Sequence, residues 1–507
     1  MYCPRLQQGA GFAAITSGVI FPFADDMQVK NLFSQSLDHR GMSKWPQYSP
    51  VTGRNALFDG DIFSVFPESR RSSSQYMSSA LAADIRHWLI EPDFSTTQRQ
   101  PIELDANQRL FVTSRTDSGY RRIKGAAGSG KSLVLAARAA ELLGQGKKVL
   151  VVTFNITLLH YLMDIAVRWP KTQGNTRSDI TWLNFHAWCK RICIENDCEE
   201  EYLSLWGDEN NPQLVLEYKL PSLVGSIIDE DTEGTIGDYD AVLVDEGQDF
   251  LPNWWAVLRK VCKPGGEMLL VADATQDIYD TAGSWTDEAM RGAGFRGGWA
   301  ELPVSYRLPR VALEKASEFA KLFLPKESTT LPSNDQLAMD LEPCELRWVH
   351  VDEEDAPQVC CDEILRLFSE SSLTNMAITD STFLCGSRQF GLEVVNALGL
   401  KGIKTVHTYD LIDKESRRQK VGFYMGDARV KATTLHSFKG WESRILVIHV
   451  GGSINAKSLA LIYTGLTRLK RNLNGSCLTV VSSAPELLEF GRSWSSFEKV
   501  DSPDIVF

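Results

Sequence analysis

The stretch Gly125-Ala126-Ala127-Gly128-Ser129-Gly130-Lys131-Ser132 constrains this chain more tightly than any other part of it. It fits the pattern G-x-x-x-x-G-K-[ST] at each fixed position. Glycines let the backbone fold tightly, so that its N–H groups point at phosphate oxygens. Lys131 supplies a point charge for β- and γ-phosphates, and the Ser132 hydroxyl is placed to ligate Mg²⁺. A helix beginning near Lys131 aims the positive end of its dipole at the same anion. Such a loop works only between a strand and a helix. Arg121–Lys124 reads as that strand, and the Ala- and Leu-rich run Leu133–Leu143 as that helix.

A phosphate loop of this kind needs an acid delivered by a buried strand. Ala241-Val242-Leu243-Val244 leads straight into Asp245-Glu246. In an open α/β sheet, ligands sit at the carboxyl ends of strands, which is where Asp245 falls. Asp245 reads as the Mg²⁺ partner. Glu246, one residue on, is placed to orient or deprotonate an attacking water. Together the two motifs predict Mg²⁺-dependent hydrolysis of a nucleoside triphosphate.

The surrounding texture predicts an α/β chain. Short β-branched runs at Lys148–Thr153, Ala241–Val244 and Met268–Val271 each precede a turn and a helical segment. A second series follows at Leu346–Val351, Ala377–Cys385, Lys431–Thr434 and Ile445–Val450, with an amphipathic helix at Asp352–Glu370. Two α/β domains divided near residue 300 are expected. At 507 residues the chain has room for both and for a further region. Residues 1–100 are irregular, with an apolar patch Val19–Phe23, a strand-like run Asp61–Phe66, an exposed loop Arg70–Gln75 and a helical stretch Ser79–Ile90. No apolar run approaches the ~18–20 residues of a membrane span, and the first residues carry no pattern of a secretory signal. A formal net charge of −12 argues against non-specific coating of nucleic acid but leaves room for a local basic groove. Ten cysteines are too sparse for a disulfide scaffold, so a reducing, cytoplasmic compartment is expected.

At Asp245-Glu246-Gly247-Gln248-Asp249 the chain resembles motif II of superfamily 1 helicases of the UvrD/Rep type. The remaining motifs of that family follow in order. Leu104-Asp105-Ala106-Asn107-Gln108 resembles the Q motif, whose glutamine reads adenine. Val152-Thr153-Phe154-Asn155 resembles motif Ia, and Asn184-Phe185-His186 resembles motif Ib; both imply contacts to single-stranded DNA. The run from Ala272-Asp273 to Gln276-Asp277-Ile278-Tyr279 is similar to motif III, where Gln276 would couple the γ-phosphate to the strand and Tyr279 would stack on a base. Ser305-Tyr306-Arg307 resembles motif IV, with Tyr306 on the adenine and Arg307 at the γ-phosphate. Thr434-Leu435-His436-Ser437-Phe438-Lys439-Gly440-Trp441-Glu442 resembles motif V. There Thr434 and His436 would face the strand, Gly440 would line the nucleotide, and Glu442 would hold its ribose. Ile462 to Arg468 resembles motif VI, with Arg468 as arginine finger.

The resemblance implies two RecA-like P-loop NTPase domains with ATP and Mg²⁺ in the cleft between them. It assigns residues 101–300 to the first, with a short insertion at about 187–238, and 301–507 to the second, with the family's large second insertion reduced or absent. Residues 1–100 resemble the connector of helicases fused to a nuclease-related (NERD) domain and form a small α+β accessory region, a candidate docking surface. The implied activity is ATP-dependent 3′→5′ translocation on single-stranded DNA, in DNA repair or anti-phage defence. Two alternatives stay open: an ATP-gated sensor or clamp regulating a partner nuclease or defence-complex subunit, and an RNA-directed ATPase. The family's aromatic after the motif III tyrosine is displaced here to Trp285.

Other constellations read as structural. Cys189 and Cys193, four apart beside Trp188 and Ile192, have the spacing of a buried helix stripe rather than of a metal site with His186 and Cys198. Lys414–Lys420 (KESRRQK) reads as a solvated basic loop between strands. Asp208 with Glu217-Tyr218-Lys219 mimics nuclease spacing but lacks a strand to present it.

Overall fold

The computed structural model describes residues 18–39, 41–48, 50–70, 76–78, 81–82, 90–125, 128–170, 174–207, 211–232, 234, 236–273, 293–304, 308–324, 342–369, 376–452 and 454–500. The chain divides into two compact units, Met1–Ile90 and Glu91–Phe507.

In the first unit, strand β1 (Val19–Ile20) pairs in parallel with β2 (Val51–Thr52), beside a helix Asp26–His39. The run Asp61–Phe66 is not a strand. Asp61 accepts from the N–H groups of Phe63 and Ser64, and this N-cap starts a single helical turn, Ile62–Val65. The expected helix at Ser79–Ile90 and the loop Arg70–Gln75 lie mostly outside the described residues.

The second unit is α/β, with two parallel sheets and interleaved helices. The first sheet contains β3 (Tyr120–Gly125), β4 (Val149–Thr153), β5 (Thr181–Asn184), β6 (Tyr239–Asp245), β7 (Cys262–Ala272) and β8 (Ala300–Leu302). Their order is β5-β4-β6-β7-β3-β8. Period-two alternation places successive residues on opposite faces. Val149, Val151, Ala241 and Leu243 join one core, packed under helix Lys131–Gly144. Leu150, Val152, Val242 and Val244 join another, with helices Phe185–Glu195 and Pro252–Lys260. Near-continuous apolar strands covered on both faces are what a parallel sheet requires.

The second sheet contains β9 (Cys344–His350), β10 (Ser381–Cys385), β11 (Thr405–His407), β12 (Val430–Thr434), β13 (Ile445–Val450), β14 (Ser476–Ser482) and β15 (Ser496–Lys499). Their order is β11-β12-β10-β13-β14-β9-β15. Its core includes Trp348, Leu446, Ile448 and Val480, and helix Arg310–Phe323 adds Leu313, Ala316 and Phe319. The helix expected at Asp352–Glu370 is Ala356–Ser369. The expected strand series omits β5, β8, β11, β14 and β15.

One further expectation needs correction. The basic run Lys414–Lys420 is not a loop but lies in a helix, Asp413–Gly422. Acidic Asp413 and Glu415 occupy its first turn and suit the helix dipole. Glu217–Lys219 lies in a π-helical turn, Val215–Lys219, while Asp208 is outside the described residues. Among the described residues no helix is long and apolar enough to cross a membrane.

Candidate functional site

Strand β3 ends at Gly125, and helix Lys131–Gly144 begins after Gly130. Gly128 and Gly130 have φ of 79° and 85°, a left-handed region costly for other residues. A Cβ on Gly130 would also stand 2.6 Å from Gln108 Nε2. Gln108 is fixed from both sides. It forms a capping box with Asp105 at the start of helix Ala106–Thr113, and its Nε2 donates to the Ser129 carbonyl at 3.0 Å. Lys131 Nζ donates to the Gly125 carbonyl (2.8 Å) and pairs with Asp273 (3.2 Å), which follows β7. A ligand phosphate would compete with Asp273 for that ammonium.

Asp245 ends β6 and is 1 % exposed. Its Oδ1 accepts from the Glu246 N–H at 2.9 Å, while Oδ2 is buried without a hydrogen-bond partner. Burial first, and the neighbouring Glu246 charge second, push its carboxyl above the usual range; the Ser132 hydroxyl and Lys131 oppose this. An orphaned, desolvated carboxylate oxygen at the strand end beside the phosphate loop suits a divalent cation. Ser132 and Asp245 are therefore the residues that could hold Mg²⁺. Among the described residues no group of three or more His, Cys, Asp or Glu could hold a metal on its own. The remaining ligands would have to come from phosphate and water.

Glu246 adopts φ 53°, ψ 46°, a conformation that costs a non-glycine residue ~1–2 kcal/mol. The turn Gly247–Asp249 holds it there: Gln248 Nε2 donates to Glu246 Oε2 (2.5 Å), and Gln248 Oε1 accepts from the Asp273 N–H (2.9 Å). Strain stored at a cavity wall is a feature of working sites.

The second half of the unit reaches the same place. A small cavity of about 30 Å³ is lined by Lys131, Ser132, Glu246 and Asp273, and also by Gly440 and Arg468. Arg468 is 3 % exposed, and its Nε donates to the Thr464 carbonyl. Gly440 has φ 87°, and a Cβ there would meet Leu158 Cδ2 at 2.4 Å. A larger cavity of about 740 Å³ shares Gly128, Gly130, Leu133 and Tyr161 with the small one. Gln108 and Glu442 both line it. Its wall includes helix Asp93–Gln98, where Asp93 accepts from Lys470 Nζ (2.5 Å) and Asn472 Nδ2 (2.6 Å). Gln276, Tyr279, Tyr306 and Arg307 lie outside the described residues.

The residues expected to face a strand divide differently. Phe154 stacks on Trp254 (6.0 Å, 17°) and meets His186 edge-on (6.2 Å), in a cluster with Phe185 and Phe250. Burial holds the His186 imidazole down to about 4, so the ring is neutral at neutral pH. Asn155 is committed elsewhere. Its Nδ2 donates to the carbonyls of Ser437 (3.0 Å) and Lys439 (3.1 Å), tying the end of β4 to the loop after β12. Thr434 is spent within that loop, its Oγ1 bonded to Ser437 Oγ and N–H. His436 is exposed.

One pair was not singled out from the sequence. Lys439 Nζ lies 2.8 Å from both carboxylate oxygens of Asp249, and the side chains are 3 % and 1 % exposed. No local signal marks it: Asp249 follows Asp245, Glu246 and Gln248, and Lys439 lies among His436, Ser437 and Glu442. No protein-family model matches the chain, and no curated protein does.

Proposed function

We propose that this protein is a Mg²⁺-dependent ATPase of the superfamily 1 helicase type, with two RecA-like halves and the nucleotide between them. The observation that carries the reading is one cavity lined by Lys131, Ser132 and Glu246 from the half built on the first sheet and by Gly440 and Arg468 from the half built on the second. Lys131 and the glycine-rich backbone would bind the phosphates. Gln108 and Glu442, on the adjoining cavity, would meet base and ribose. Mg²⁺ held by Ser132 and Asp245 would neutralise charge on the phosphates. Glu246, aimed by Gln248, would take a proton from the attacking water. Arg468 would place its charge on the transferring phosphoryl group only while the halves are closed. Closing on ATP and opening after hydrolysis would move the two halves past a bound strand, giving 3′→5′ translocation.

The test is an ATPase titration with single-stranded DNA, single-stranded RNA and duplex, beside Lys131→Ala. Strong stimulation by long DNA strands, absent in Lys131→Ala, is the expected result. Stimulation that saturates on short ends would favour a clamp, and preference for RNA an RNA-directed ATPase. No hydrolysis under any condition refutes the reading.

A further inference from the structure

A third cavity, of about 370 Å³, lies at the carboxyl edge of the second sheet, past the ends of β10 and β13. Open α/β sheets hold ligands at this edge. The cavity shares no lining residue with the two around Lys131. His449, on β13, lines it and is 5 % exposed. The imidazole stacks on Phe390 at 3.7 Å and 8°, and its Nε2 is buried without a hydrogen-bond partner. Leaving a buried ring nitrogen unmet is costly, so a polar group of a ligand belongs opposite it. Burial holds the imidazole down to about 3, so the ring is neutral and repels no cation.

The neighbours of His449 decide the sign of that ligand. Glu353 and Glu393 both line the cavity, and among the described residues no Lys or Arg does. Gly451 lets one carboxylate close in on the ring. A Cβ there would stand 2.5 Å from Glu353 Oε2, 2.5 Å from Ser483 Oγ and 2.6 Å from His449 Cε1. The first turns of helices Arg388–Leu400 and Ala456–Leu466 also line the cavity, and their dipoles alone would favour an anion. Each of these turns, however, is capped from within. Ser387 Oγ accepts from the Phe390 N–H, and Asn455 forms a capping box with Ser458. The two carboxylates therefore set the charge. Leu435, Leu461 and Ile462 supply an apolar wall.

We propose that this cavity binds a guanidinium group on an alkyl stem, its head held by Glu353, Glu393 and His449 and its stem laid on Leu435, Leu461 and Ile462. A guanidinium offers five N–H donors in one plane, enough for both carboxylates and the ring nitrogen together. It is also more weakly hydrated than an ammonium, which suits a half-enclosed site. With the imidazole proton on Nδ1, Nε2 accepts one of those N–H groups. The group can come from an arginine side chain of a partner protein or from a free small guanidine. The site stands apart from the nucleotide reading above and does not rest on it.

The experiment is a ligand-observed NMR titration of the full chain with butylguanidinium, butylammonium and inorganic phosphate. Butylguanidinium should bind more tightly than butylammonium, and phosphate should not displace it. Glu353→Gln and Glu393→Gln should each weaken butylguanidinium by about 3–10-fold, the weight of a partly exposed charged hydrogen bond. His449→Leu should weaken it as well, and the two glutamate variants keep the test decisive where that core substitution alters folding. Lys131→Ala should bind the probe as wild type does, so failure of the ATPase reading leaves this result standing. Acetyl-arginine amide separates the sources: affinity equal to or above that of butylguanidinium supports a partner's side chain, and exclusion supports a free ligand. No binding of butylguanidinium overturns the proposal. So does equal binding by wild type and the double variant Glu353→Gln/Glu393→Gln, or displacement of the probe by phosphate.

Discussion

The Lys439–Asp249 pair offers the sharpest test of how the two halves are held. Both side chains are almost wholly removed from water, and the ammonium sits 2.8 Å from each carboxylate oxygen. Removing either partner strands a buried charge, at a cost of ~3–5 kcal/mol. Replacing both by apolar residues of similar volume removes the charge altogether, and such exchanges are often neutral or stabilising by ~1–4 kcal/mol. Lys439→Met and Asp249→Leu should therefore each be strongly destabilising, while the double variant should return close to wild type. Unfolding entropy for the unit Glu91–Phe507 is on the order of 0.9 kcal/mol/K. Each single variant should then lower the calorimetric Tm by roughly 3–6 °C. Hydrolysis should separate from stability. Asp249 lies in the turn that fixes Glu246, its N–H donating to the Glu246 carbonyl at 2.9 Å, and Lys439 precedes Gly440 in the cavity wall. An apolar pair fixes no direction, so the double variant should stay slow although it is stable. Additive Tm losses, with the double variant worse than either single one, would refute the reasoning.

Three other outcomes are expected. Glu246→Gln should retain ATP and lose turnover by ~10²–10⁴-fold, the usual weight of a positioned base; wild-type turnover in a rapid-quench assay rules out that role. Arg468→Ala should lower the hydrolysis rate by ~10³–10⁵ while ATP affinity changes little, as for an arginine acting in the transition state; equal losses in rate and binding would move it away from the γ-phosphate. His449 is 5 % exposed, stacks on Phe390 at 3.7 Å, and is held down to about 3 by burial. The unfolded chain binds its proton from about pH 6.5 downward and the folded one does not, so this residue removes stability as pH falls, by about 2 kcal/mol between pH 7.5 and 5. His449→Leu should flatten the acid limb of the Tm–pH curve by that amount, and an unchanged difference between the two pH values would place the cause elsewhere.

What could be read from the sequence was local. The phosphate loop, the strand into Asp245 and the alternation of β4 and β6 are contiguous patterns with one physical solution. The ends of β3, β6 and β7 bring Lys131, Asp245 and Asp273 together because parallel strands share a carboxyl edge. What escaped was either weakly patterned or distant. β11 and β8 are three residues each, too short for a period to register. The basic helix Asp413–Gly422 has a mean hydropathy so polar that no apolar stripe marks it. The bonds from the Asn155 amide to carbonyls 282 and 284 residues away carry no sequence mark. The Lys439–Asp249 pair spans 190 residues, and no window of sequence contains both ends.

The order of the second sheet has a consequence for synthesis on the ribosome. All strands of the first sheet lie between Tyr120 and Leu302, so that sheet can close soon after its last strand emerges. The second cannot. β9 is made first, but its sheet neighbours are β14 and β15, the last strands of the chain. At ~5–20 residues per second, β9 waits roughly 6–25 s with both edges unpaired. An exposed strand of this kind invites pairing with other chains. Its sequence, Cys344-Glu345-Leu346-Arg347-Trp348-Val349-His350, sets charges between the apolar residues. Charges such as Glu345 and Arg347 oppose edge-to-edge pairing of an uncovered strand. In the finished sheet Arg347 is then bound by Glu363 and Glu498, the latter on β15 itself.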